Sequence, residues 1–282
     1  GSWCGMSTSA VDCHSTAVVH ERAQLAEGVR VGPYTVIGEH VEIERDTVID
    51  SNVVIDGYTK IGERCRVFPF ASIGLEPQDL KFEGEISTLE IGNENVFREF
   101  VTIHRGTALG GSRTVIGDKN LFMAYTHVAH DCQIGSGAIF GNAATLGGHV
   151  SVDDHATVSA FSGVHQFCRV GTYAFVGGYT VITKDVLPFS KTVGNRARLY
   201  GVNTVGLERR EFGRDRIEKI RSAFRTLQQP SLNVSQALDQ LEEPDVNDGM
   251  DHDVRAIIDF VRGSKRGVIV KRGREDSDSD AD

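Results

Sequence analysis

Aliphatic and aromatic residues recur at every sixth position along the first two thirds of the chain. The first run extends from Val19 to Ile73, and a later run ends at Ile182 after the register shifts by one residue across the glycine-rich segment 106–112. A period of six matches neither the 3.6-residue period of a helix nor the simple alternation of a strand. It is typical of a coil of short strands joined by tight corners. The repeated positions are Val19, Leu25, Val31, Ile37, Ile43, Ile49, Ile55, Ile61, Val67, Ile73, Ile91, Phe97, Ile103, Ile116, Phe122, Val128, Ile134, Phe140, Leu146, Val152, Val158, Val164, Val170, Val176 and Ile182.

A small or β-branched residue follows nearly every repeated position four places later, with Asn120 as the poor fit. Three hexads would close one triangular turn, with the large aliphatic side chain inside and the small one at the corner. Adjacent coils would then bond to each other at a spacing of about 4.8 Å. Cys65, Cys132 and Cys168 occupy such corner positions, so we interpret them as inert core residues. The five cysteines show no CxxC spacing, so neither a disulfide framework nor a zinc knuckle is indicated.

The six-residue period stops at Pro188, and a helical pattern replaces it. Apolar residues from Leu207 to Leu227 are spaced for one face of a helix. Further helices are predicted over residues 235–243 and 253–263. The sequence therefore predicts a β-helix at 11–190 and a helical domain at 191–270. Gly1 to Gly5, before Met6, are interpreted as a cloning remnant, and residues 1–10 and the acidic tail 271–282 are expected to be disordered.

The chain carries a formal charge of −9 and has a pI near 5.6. A nucleic-acid-binding surface needs clustered cations, so no nucleic acid partner is expected. The sequence contains neither a run of 18 apolar residues nor a secretory signal, so we expect no membrane span and a cytoplasmic location.

A triangular coil of three hexads places residues 18 apart in neighbouring coils, so sequence spacing predicts contacts. The first predicted column is His130, Gly148 and Gln166, and the second is Asp131, His149 and Phe167. Glycine in such a column lets a substrate approach the backbone closely.

Five histidines fall off the aliphatic positions and should face outward: His104, His127, His130, His149 and His165. Any one of them could simply decorate a solvated face. Together, beside Gly148, they suit acyl transfer, which needs a base near pH 7 and an N–H donor for the developing oxyanion. We assign His130 as that base and Gly148 as a donor. A zinc site, as in hexapeptide-repeat carbonic anhydrases, is the rival interpretation. His127 and His130 are separated by three residues rather than five, so no metal is predicted.

Several segments in fixed order resemble the UDP-N-acetylglucosamine O-acyltransferase family, whose reaction begins lipid A synthesis. The similarity runs from Val11 to about Val270. The segments are ASIG at Ala71, QDLKFEGE at Gln78, VTIHRGT at Val101, HVAHDC at His127, GGHVSVDD at Gly147, VHQFC at Val164, VGG at Val176 and GVN at Gly201.

The resemblance implies an all-β left-handed parallel β-helix of hexapeptide repeats, followed by a smaller C-terminal α-helical domain and assembled as a homotrimer with active sites between subunits. It implies a catalytic role for His130, an oxyanion role for Gly148, and Asp79 or Asp131 as the carboxylate that orients the base. The substrate-binding residues that it implies are Lys81, His104, His127, His149, His165, Gln166, Asn203, Arg209 and Arg210. Gly178 matches the position that limits the acyl chain. The donor would be the phosphopantetheine thioester on acyl carrier protein, the acceptor a UDP-sugar, with no cofactor.

One departure concerns the acceptor. The family has an acid two residues after the asparagine of GVN, whereas this chain has Val205. Acylation of a 3-amino analogue of the sugar nucleotide therefore stays open. So do two broader interpretations of the repeat, namely a related acetyl- or N-acyltransferase and a scaffold without catalysis.

Overall fold

The computed structural model describes residues 10–242 and 251–271. The predicted disorder at 1–10 and 271–282 lies almost wholly outside the described residues. Within them, three parallel sheets form the walls of a triangular prism, joined only at their corners. One strand pair, at the end of the prism, is antiparallel.

Each wall contributes one short strand to every coil. Sheet A consists of Asp12–Cys13, Arg30–Val31, Val48–Ile49, Arg66–Val67, Val96–Phe97, Leu121–Phe122, Ile139–Phe140, Thr157–Val158, Phe175–Val176, Ser190–Val193 and Arg198–Val202. Sheet B consists of Val18–Val19, Val36–Ile37, Val54–Ile55, Ser72–Leu75, Thr102–His104, His127–Val128, Thr145–Leu146, Gly163–Val164 and Val181–Ile182. Sheet C consists of Gln24–Leu25, Val41–Ile43, Tyr58–Ile61, Thr88–Ile91, Arg113–Ile116, Gln133–Ile134, Ser151–Val152 and Arg169–Val170.

The predicted stacking of residues 18 apart is confirmed in the regular coils. Thr145 pairs with Gly163, and Ser151 pairs with Arg169. Where the sequence is interrupted the spacing grows, so Thr102 pairs with His127 across the segment 106–112. Such insertions leave the ladder intact and place extra chain at a corner.

The repeated aliphatic positions fill the prism, and those from Val31 to Ile182 are all buried. Val19 and Leu25 are half-buried, because they lie in the first coil of the described prism. Phe97, Phe122 and Phe140 stack in a column at centroid distances of 5.0 and 4.7 Å. Burying each such side chain stabilises the fold by roughly 1.5–3 kcal/mol, so the stability of the prism comes from many similar contributions along its length.

Asn120, the polar exception in the series of small residues, has hydrogen-bond partners in the neighbouring coils. Asn120 is buried, its side-chain Nδ2 donates to Gly135 O at 2.9 Å, and its Oδ1 accepts from Ala138 N at 2.8 Å. Its backbone N donates to Asn95 Oδ1 at 2.9 Å. The interpretation of Cys65, Cys132 and Cys168 as core residues is confirmed by their burial. Burial raises the pKa of all three thiols, for Cys132 to about 12.

Most corners turn through a residue in the left-handed region. At the corner between sheets B and C these residues are Asp131, His149 and Phe167, with φ of 60°, 60° and 65°. The conformation costs roughly 1–2 kcal/mol for a residue other than glycine. It persists here because the backbone N–H bonds to the preceding coil, as His149 N does to His130 O at 3.0 Å. Residues 18 apart lie above one another at this corner, as Phe167 N donates to Gly148 O at 3.1 Å and the His149 ring stacks on Phe167, which confirms both predicted columns.

The described part of the C-terminal region contains four helices, α1 Thr204–Glu208, α2 Arg214–Leu227, α3 Val234–Glu242 and α4 His252–Arg262. The last two begin one residue earlier than predicted. An antiparallel hairpin of Ser190–Val193 and Arg198–Val202 precedes them, in a region predicted as helical. Its strands are too short for a period to reveal them in the sequence. No helix among the described residues is long and apolar enough to cross a bilayer. The domain boundary at 190 stays a prediction.

The helical region is fastened to the prism at Asp185, which is buried. The carboxylate of Asp185 accepts from Arg169 N at 2.8 Å and from Ser264 Oγ at 2.7 Å. The Arg169 guanidinium lies 4.1 Å from the centre of the Phe260 ring. These contacts join the last coil of the prism to the end of α4.

Candidate active site

The corner between sheets B and C brings a histidine and a carboxylate together. The imidazole of His130 lies with Nδ1 2.7 Å from Asp131 Oδ2, and the Asp131 side chain is fully buried. Because a carboxylate only accepts hydrogen bonds, Nδ1 carries the proton and Nε2 of His130 is left as the acceptor. A neutral imidazole held in this tautomer is suited to remove a proton from a substrate hydroxyl.

The segment 106–112 folds over this carboxylate. Thr107 N donates to Asp131 Oδ1 at 2.9 Å, and Thr107 Oγ1 donates to Oδ2 at 2.6 Å. A single 3₁₀ turn, Ala108–Gly110, follows, and a Cβ on Gly110 would lie 2.0 to 2.2 Å from the Asp131 carboxyl atoms. The insertion therefore removes Asp131 from solvent and supplies its hydrogen bonds.

Gly148 lies one coil beyond His130 in the same column. Within the described residues its N–H donates to no other group, while the neighbouring Gly147 N and His149 N are both used in the ladder. A Cβ on Gly148 would lie 2.5 Å from Cε1 and 2.7 Å from Nε2 of His130. A free backbone donor therefore lies beside the free ring nitrogen of His130, an arrangement that an oxyanion site would require.

His149 occupies the next column and contacts the same carboxylate less closely. Its Nε2 is 3.8 Å from Asp131 Oδ2, and its ring stacks on Phe167 at 4.4 Å and meets the His130 ring edge-on at 5.1 Å. Burial lowers the pKa of His149, the Asp131 charge opposes this, and a charge on His130 would lower it further. Of the two rings, that of His130 is within hydrogen-bonding distance of the Asp131 carboxylate, and that of His149 is not.

His104 and His127 form a second pair of rings, on sheet B. Their centroids are 5.0 Å apart, and His127 Nδ1 is hydrogen bonded to Thr102 Oγ1 at 2.7 Å. His104 is only 6% exposed, contrary to the expectation of an outward ring, and its Nδ1 has no partner among the described residues. Burial, with the nearby His127, His130 and Arg105 as smaller causes, lowers the pKa of His104 to about 4. Burial also lowers the pKa of His127.

The coil beyond Gly148 carries exposed polar groups. His165 and Gln166 are exposed, and Arg266 Nη2 donates to His165 Nδ1 at 3.2 Å. Gly178, on the corner between sheets A and B, is also exposed. A Cβ there would approach only Ala160 O, at 3.4 Å.

Asp79 and Lys81 lie in the first interruption of the repeat. Asp79 Oδ1 accepts from Lys81 N at 3.0 Å, and Lys81 is exposed. Among the described residues the carboxylate hydrogen bonded to His130 is that of Asp131 and not that of Asp79. The charge of Asp79 reaches His149, whose pKa it raises slightly against the dominant effect of burial.

The residues expected on the nucleotide side lie at a different corner. Asn203 caps α1 by accepting from Gly206 N at 3.2 Å, and its Nδ2 donates to Tyr173 O at 3.0 Å. The Arg210 guanidinium lies 5.7 Å from the centre of the Tyr173 ring, and Arg209 is exposed. Tyr173 lies on the corner between sheets C and A, so one chain does not bring these groups to His130.

Three potential metal ligands do cluster within the described residues. One ligand atom each of His130, Asp131 and His149 lie within 4.8 Å of one another. Asp131 Oδ2, however, already accepts from His130 and from Thr107 Oγ1. The donor set suits a hydrogen-bonded network better than a cation, which would have to displace both bonds.

Thr107 and Gly110 were missed by the sequence analysis, although Thr107 ends the segment VTIHRGT. The signal that could have found them was the one-residue shift of the repeat across 106–112, because an insertion in a solenoid places extra chain at a defined corner.

Comparisons with known proteins agree with this fold. Residues 113–148 match the bacterial transferase hexapeptide family of six repeats, and residues 185–269 match the family described as UDP N-acetylglucosamine O-acyltransferase, domain 2. The chain is 43% identical over 259 residues to acyl-(acyl-carrier-protein)-UDP-N-acetylglucosamine O-acyltransferase of Thermodesulfovibrio yellowstonii, covering 91% of this chain and 98% of that protein. It is 44% identical to the enzyme of the same name in Syntrophobacter fumaroxidans, covering 91% of this chain and 98% of that one.

Solved structures show the same architecture. UDP-N-acetylglucosamine acyltransferase of Bacteroides fragilis superposes with a TM-score of 0.87 at 40% identity, covering 91% of this chain and 99% of that one. The Acinetobacter baumannii structure gives a TM-score of 0.88 at 39% identity with the same coverage. The predicted left-handed parallel β-helix, with a smaller helical region behind it, is confirmed.

A prism of hexapeptide repeats with a carboxylate-bound histidine at one corner belongs to the hexapeptide-repeat acyltransferases. Similarity over nine tenths of the chain narrows the class further. The chain belongs to the UDP-N-acetylglucosamine O-acyltransferase family, and it is an acyltransferase.

Proposed function

We propose that this protein transfers a 3-hydroxyacyl chain from acyl carrier protein to the 3-hydroxyl of UDP-N-acetylglucosamine, the first step of lipid A biosynthesis. One observation carries the proposal. The His130–Asp131 hydrogen bond leaves Nε2 of His130 free beside the unused N–H of Gly148. Its relatives' names supply the substrates, and this geometry supplies the two groups that acyl transfer requires.

In the proposed reaction, His130 Nε2 takes the proton from the sugar hydroxyl while the oxygen attacks the thioester carbonyl. The new C–O bond gives a tetrahedral intermediate whose oxyanion accepts from Gly148 N–H. The C–S bond then breaks, and the departing phosphopantetheine thiolate receives the proton from the imidazolium. Asp131 stabilises that imidazolium through Nδ1. The activated carbonyl comes with the donor, so the mechanism invokes no metal and no cofactor of the protein.

The cleft beside His130 would be lined by His104, His127, His149, His165, Gln166 and Lys81. Gly178 would limit the acyl chain. Its exposed Cα has free space on the side-chain side, so a larger residue there would project away from the prism rather than clash with the fold. The side chain at this position is therefore the proposed length determinant.

Discrimination of the acceptor is proposed near α1, where Val205 is 59% exposed in the first turn. An aliphatic side chain cannot hydrogen bond a polar nucleotide, whereas an acid could. This observation favours testing a 3-amino analogue of the sugar nucleotide as a second acceptor.

We also propose that the protein works as a homotrimer. The groups expected on the nucleotide side lie at the corner between sheets C and A, whereas His130 lies at the corner between sheets B and C. A second copy placed against the first would bring the two together. The corner between sheets A and B carries exposed aromatic rings suited to such contact, which stack in the groups Phe70, Phe100 and Tyr125, and Phe161 and Tyr179.

Acyl carrier protein is the proposed partner of the exposed cations near α1 and α2. Arg209 and Arg214 are exposed, and an acidic partner would bind such a surface. Changing Arg209 to Glu should raise the KM for the carrier; an unaltered KM would reject this docking surface. A cytoplasmic location stays a prediction.

The test of the reaction is a transfer assay with a ladder of 3-hydroxyacyl carrier proteins, read by mass spectrometry of the nucleotide product. The wild type should show one preferred chain length, and His130→Ala should lower kcat by roughly a hundredfold to ten-thousandfold. His155→Ala, at an equivalent corner of another face, is the matched control and should keep full activity. Product with the 3-amino acceptor alone would support the second acceptor, and equal activity in His130→Ala would remove His130 as base.

Subunit complementation tests the trimer. The variants His130→Ala and Arg210→Ala are coexpressed to give mixed assemblies, and each is also expressed alone for comparison. If active sites are shared, mixed assemblies contain sites with both wild-type residues, and activity returns. Mixed assemblies as inactive as the parents, or a monomeric mass in light scattering, would contradict the shared site.

A further inference from the structure

Thr107 has no role in the reaction proposed above, yet it makes two hydrogen bonds to Asp131. Thr107 is 2% exposed and places both its N–H and its hydroxyl on this carboxylate. The bond lengths are 2.9 Å to Oδ1 and 2.6 Å to Oδ2. Two donors from one residue on two oxygens fix the plane of the carboxylate as well as its position.

The position of that plane matters because two histidines lie within reach of Oδ2. His130 Nδ1 is at 2.7 Å and His149 Nε2 is at 3.8 Å. A small rotation of the carboxylate would weaken the first contact and strengthen the second. The backbone of the residue is held separately, since Asp131 N donates to Thr114 Oγ1 at 2.8 Å. Thr107 is thus the group that holds the carboxylate on His130.

We propose that Thr107 is a positioning residue for acyl transfer, which fixes the Asp131 carboxylate on His130 Nδ1 and thereby keeps His130 Nε2 free and directed at the acceptor. The inference rests on the proposed function. It assigns a chemical role to the inserted segment 106–112, whose backbone turns at Ala108–Gly110 so that Thr107 can face the carboxylate.

Thr107→Val removes the hydroxyl and keeps the shape. We expect it to lower kcat roughly tenfold to a hundredfold while the KM of both substrates changes less than about twofold, since a misplaced base affects the transition state rather than binding. Thr107→Ser keeps the hydroxyl and should recover most of the activity. In an Asp131→Ala background, Thr107→Val should have little further effect, because both changes act through one carboxylate.

Thr47→Val is the matched control. Thr47 is also buried, and its hydroxyl donates to Gly62 O at 2.7 Å and accepts from Cys65 N at 3.0 Å, far from the site. This variant should lose thermal stability and keep kcat. The control thus separates the loss of a buried hydroxyl from the loss of positioning.

Gly110→Ala approaches the same carboxylate from the other side. The atoms nearest the added Cβ all belong to the Asp131 carboxyl group, at 2.0 to 2.2 Å, so either the carboxylate or the turn Ala108–Gly110 that covers it must shift. Gly110→Ala should therefore lower kcat with Thr107 intact, and it serves if Thr107→Val does not fold.

Three results would overturn the inference: a folded Thr107→Val with at least half the wild-type kcat, a Thr107→Ser as slow as the valine variant, or additive effects of Thr107→Val and Asp131→Ala. Failure of the proposed function is distinguishable, because then the wild type itself forms no acylated nucleotide.

Discussion

Two corners of the prism share one backbone geometry and differ in chemistry. At the corner between sheets B and C, His149 has φ 60° and stacks on Phe167 at 4.4 Å. At the corner between sheets C and A, His155 has φ 59° and stacks on Tyr173 at 4.9 Å. Both rings lie in columns of the same ladder, yet one corner includes the proposed base and the other a network of packing contacts.

The difference lies in what surrounds the ring. The column of His149 continues to Asp131, whose carboxylate is buried beneath the segment 106–112. The column of His155 continues to Gly137, which has no side chain, and Tyr173 packs against Phe212 of the helical region. A repeated corner can therefore serve as a packing surface without a catalytic group, and an insertion with one buried carboxylate turns it into a candidate catalytic site.

The largest effect expected within this comparison is at Asp131. Asp131→Asn keeps the size but replaces one acceptor oxygen with a donor, so His130 can no longer keep its proton on Nδ1 in the same arrangement. We expect kcat to fall by roughly a thousandfold or more, as for the orienting carboxylate of a catalytic triad. Steady-state kinetics measure the loss.

Asp118→Asn is the matched control for that experiment. The carboxylate of Asp118, near the corner between sheets C and A, accepts from Asn93 N at 2.7 Å. Its variant should retain wild-type kcat. If both variants lost activity equally, the carboxylate at the proposed site would have no special role.

A second pair of variants compares glycines. A Cβ on Gly148 would meet the His130 ring at 2.5 Å, and a Cβ on Gly137 would meet the His155 ring at the same distance. Gly148→Ala should lower kcat about a hundredfold by displacing the base and crowding the N–H donor. Gly137→Ala should keep kcat and lower stability, because Gly137 has φ 69° and a left-handed alanine costs about 1 kcal/mol.

Steady-state kinetics and thermal unfolding of both glycine variants separate a loss of catalysis from a loss of stability. Intact kcat in a folded Gly148→Ala would show that neither the ring position nor the donor at Gly148 is critical. Loss of kcat in a folded Gly137→Ala would show that crowding a corner ring lowers kcat at either corner, and that the effect at Gly148 is not specific.

Much of this architecture follows from the sequence, because a period of six determines which residues stack. The columns of His130 with Gly148 and of Asp131 with His149 follow directly from a spacing of 18 residues. The hairpin after Phe189 did not follow, because its strands are too short for periodicity to identify them. Where a pattern repeats many times it specifies geometry, and where it occurs once it does not.

The candidate site was predictable only in part, for a related reason. Which of Asp79 and Asp131 orients the base depends on how two interruptions of the repeat fold, and spacing carries no information there. The contact of Thr107 with Asp131 could not be predicted for the same reason, since the two residues are 24 positions apart across an insertion. His104 was predicted to face outward because its position is off the aliphatic series, yet it lies just before the insertion and is buried.

The smallest expected effect concerns stability rather than catalysis, and it arises at His104, beside the candidate site. Burial lowers the folded-state pKa of His104 to about 4 from 6.5. Between pH 6.5 and about pH 4, His104 binds a proton in the unfolded chain but not in the folded chain. The free energy of unfolding therefore falls as the pH drops from about 7 towards 4. By pH 5 the loss from His104 should reach about 2 kcal/mol.

His104→Gln removes that titration, so urea unfolding at pH 8 and pH 5 should show a smaller acid loss in the variant than in the wild type at equal protein concentration. Because a neutral amide titrates nowhere in this range, the difference between wild type and variant isolates the imidazole. An equal acid loss in His104→Gln and wild type would show that the ring is solvated in solution, and that the chain around the site does not close over it.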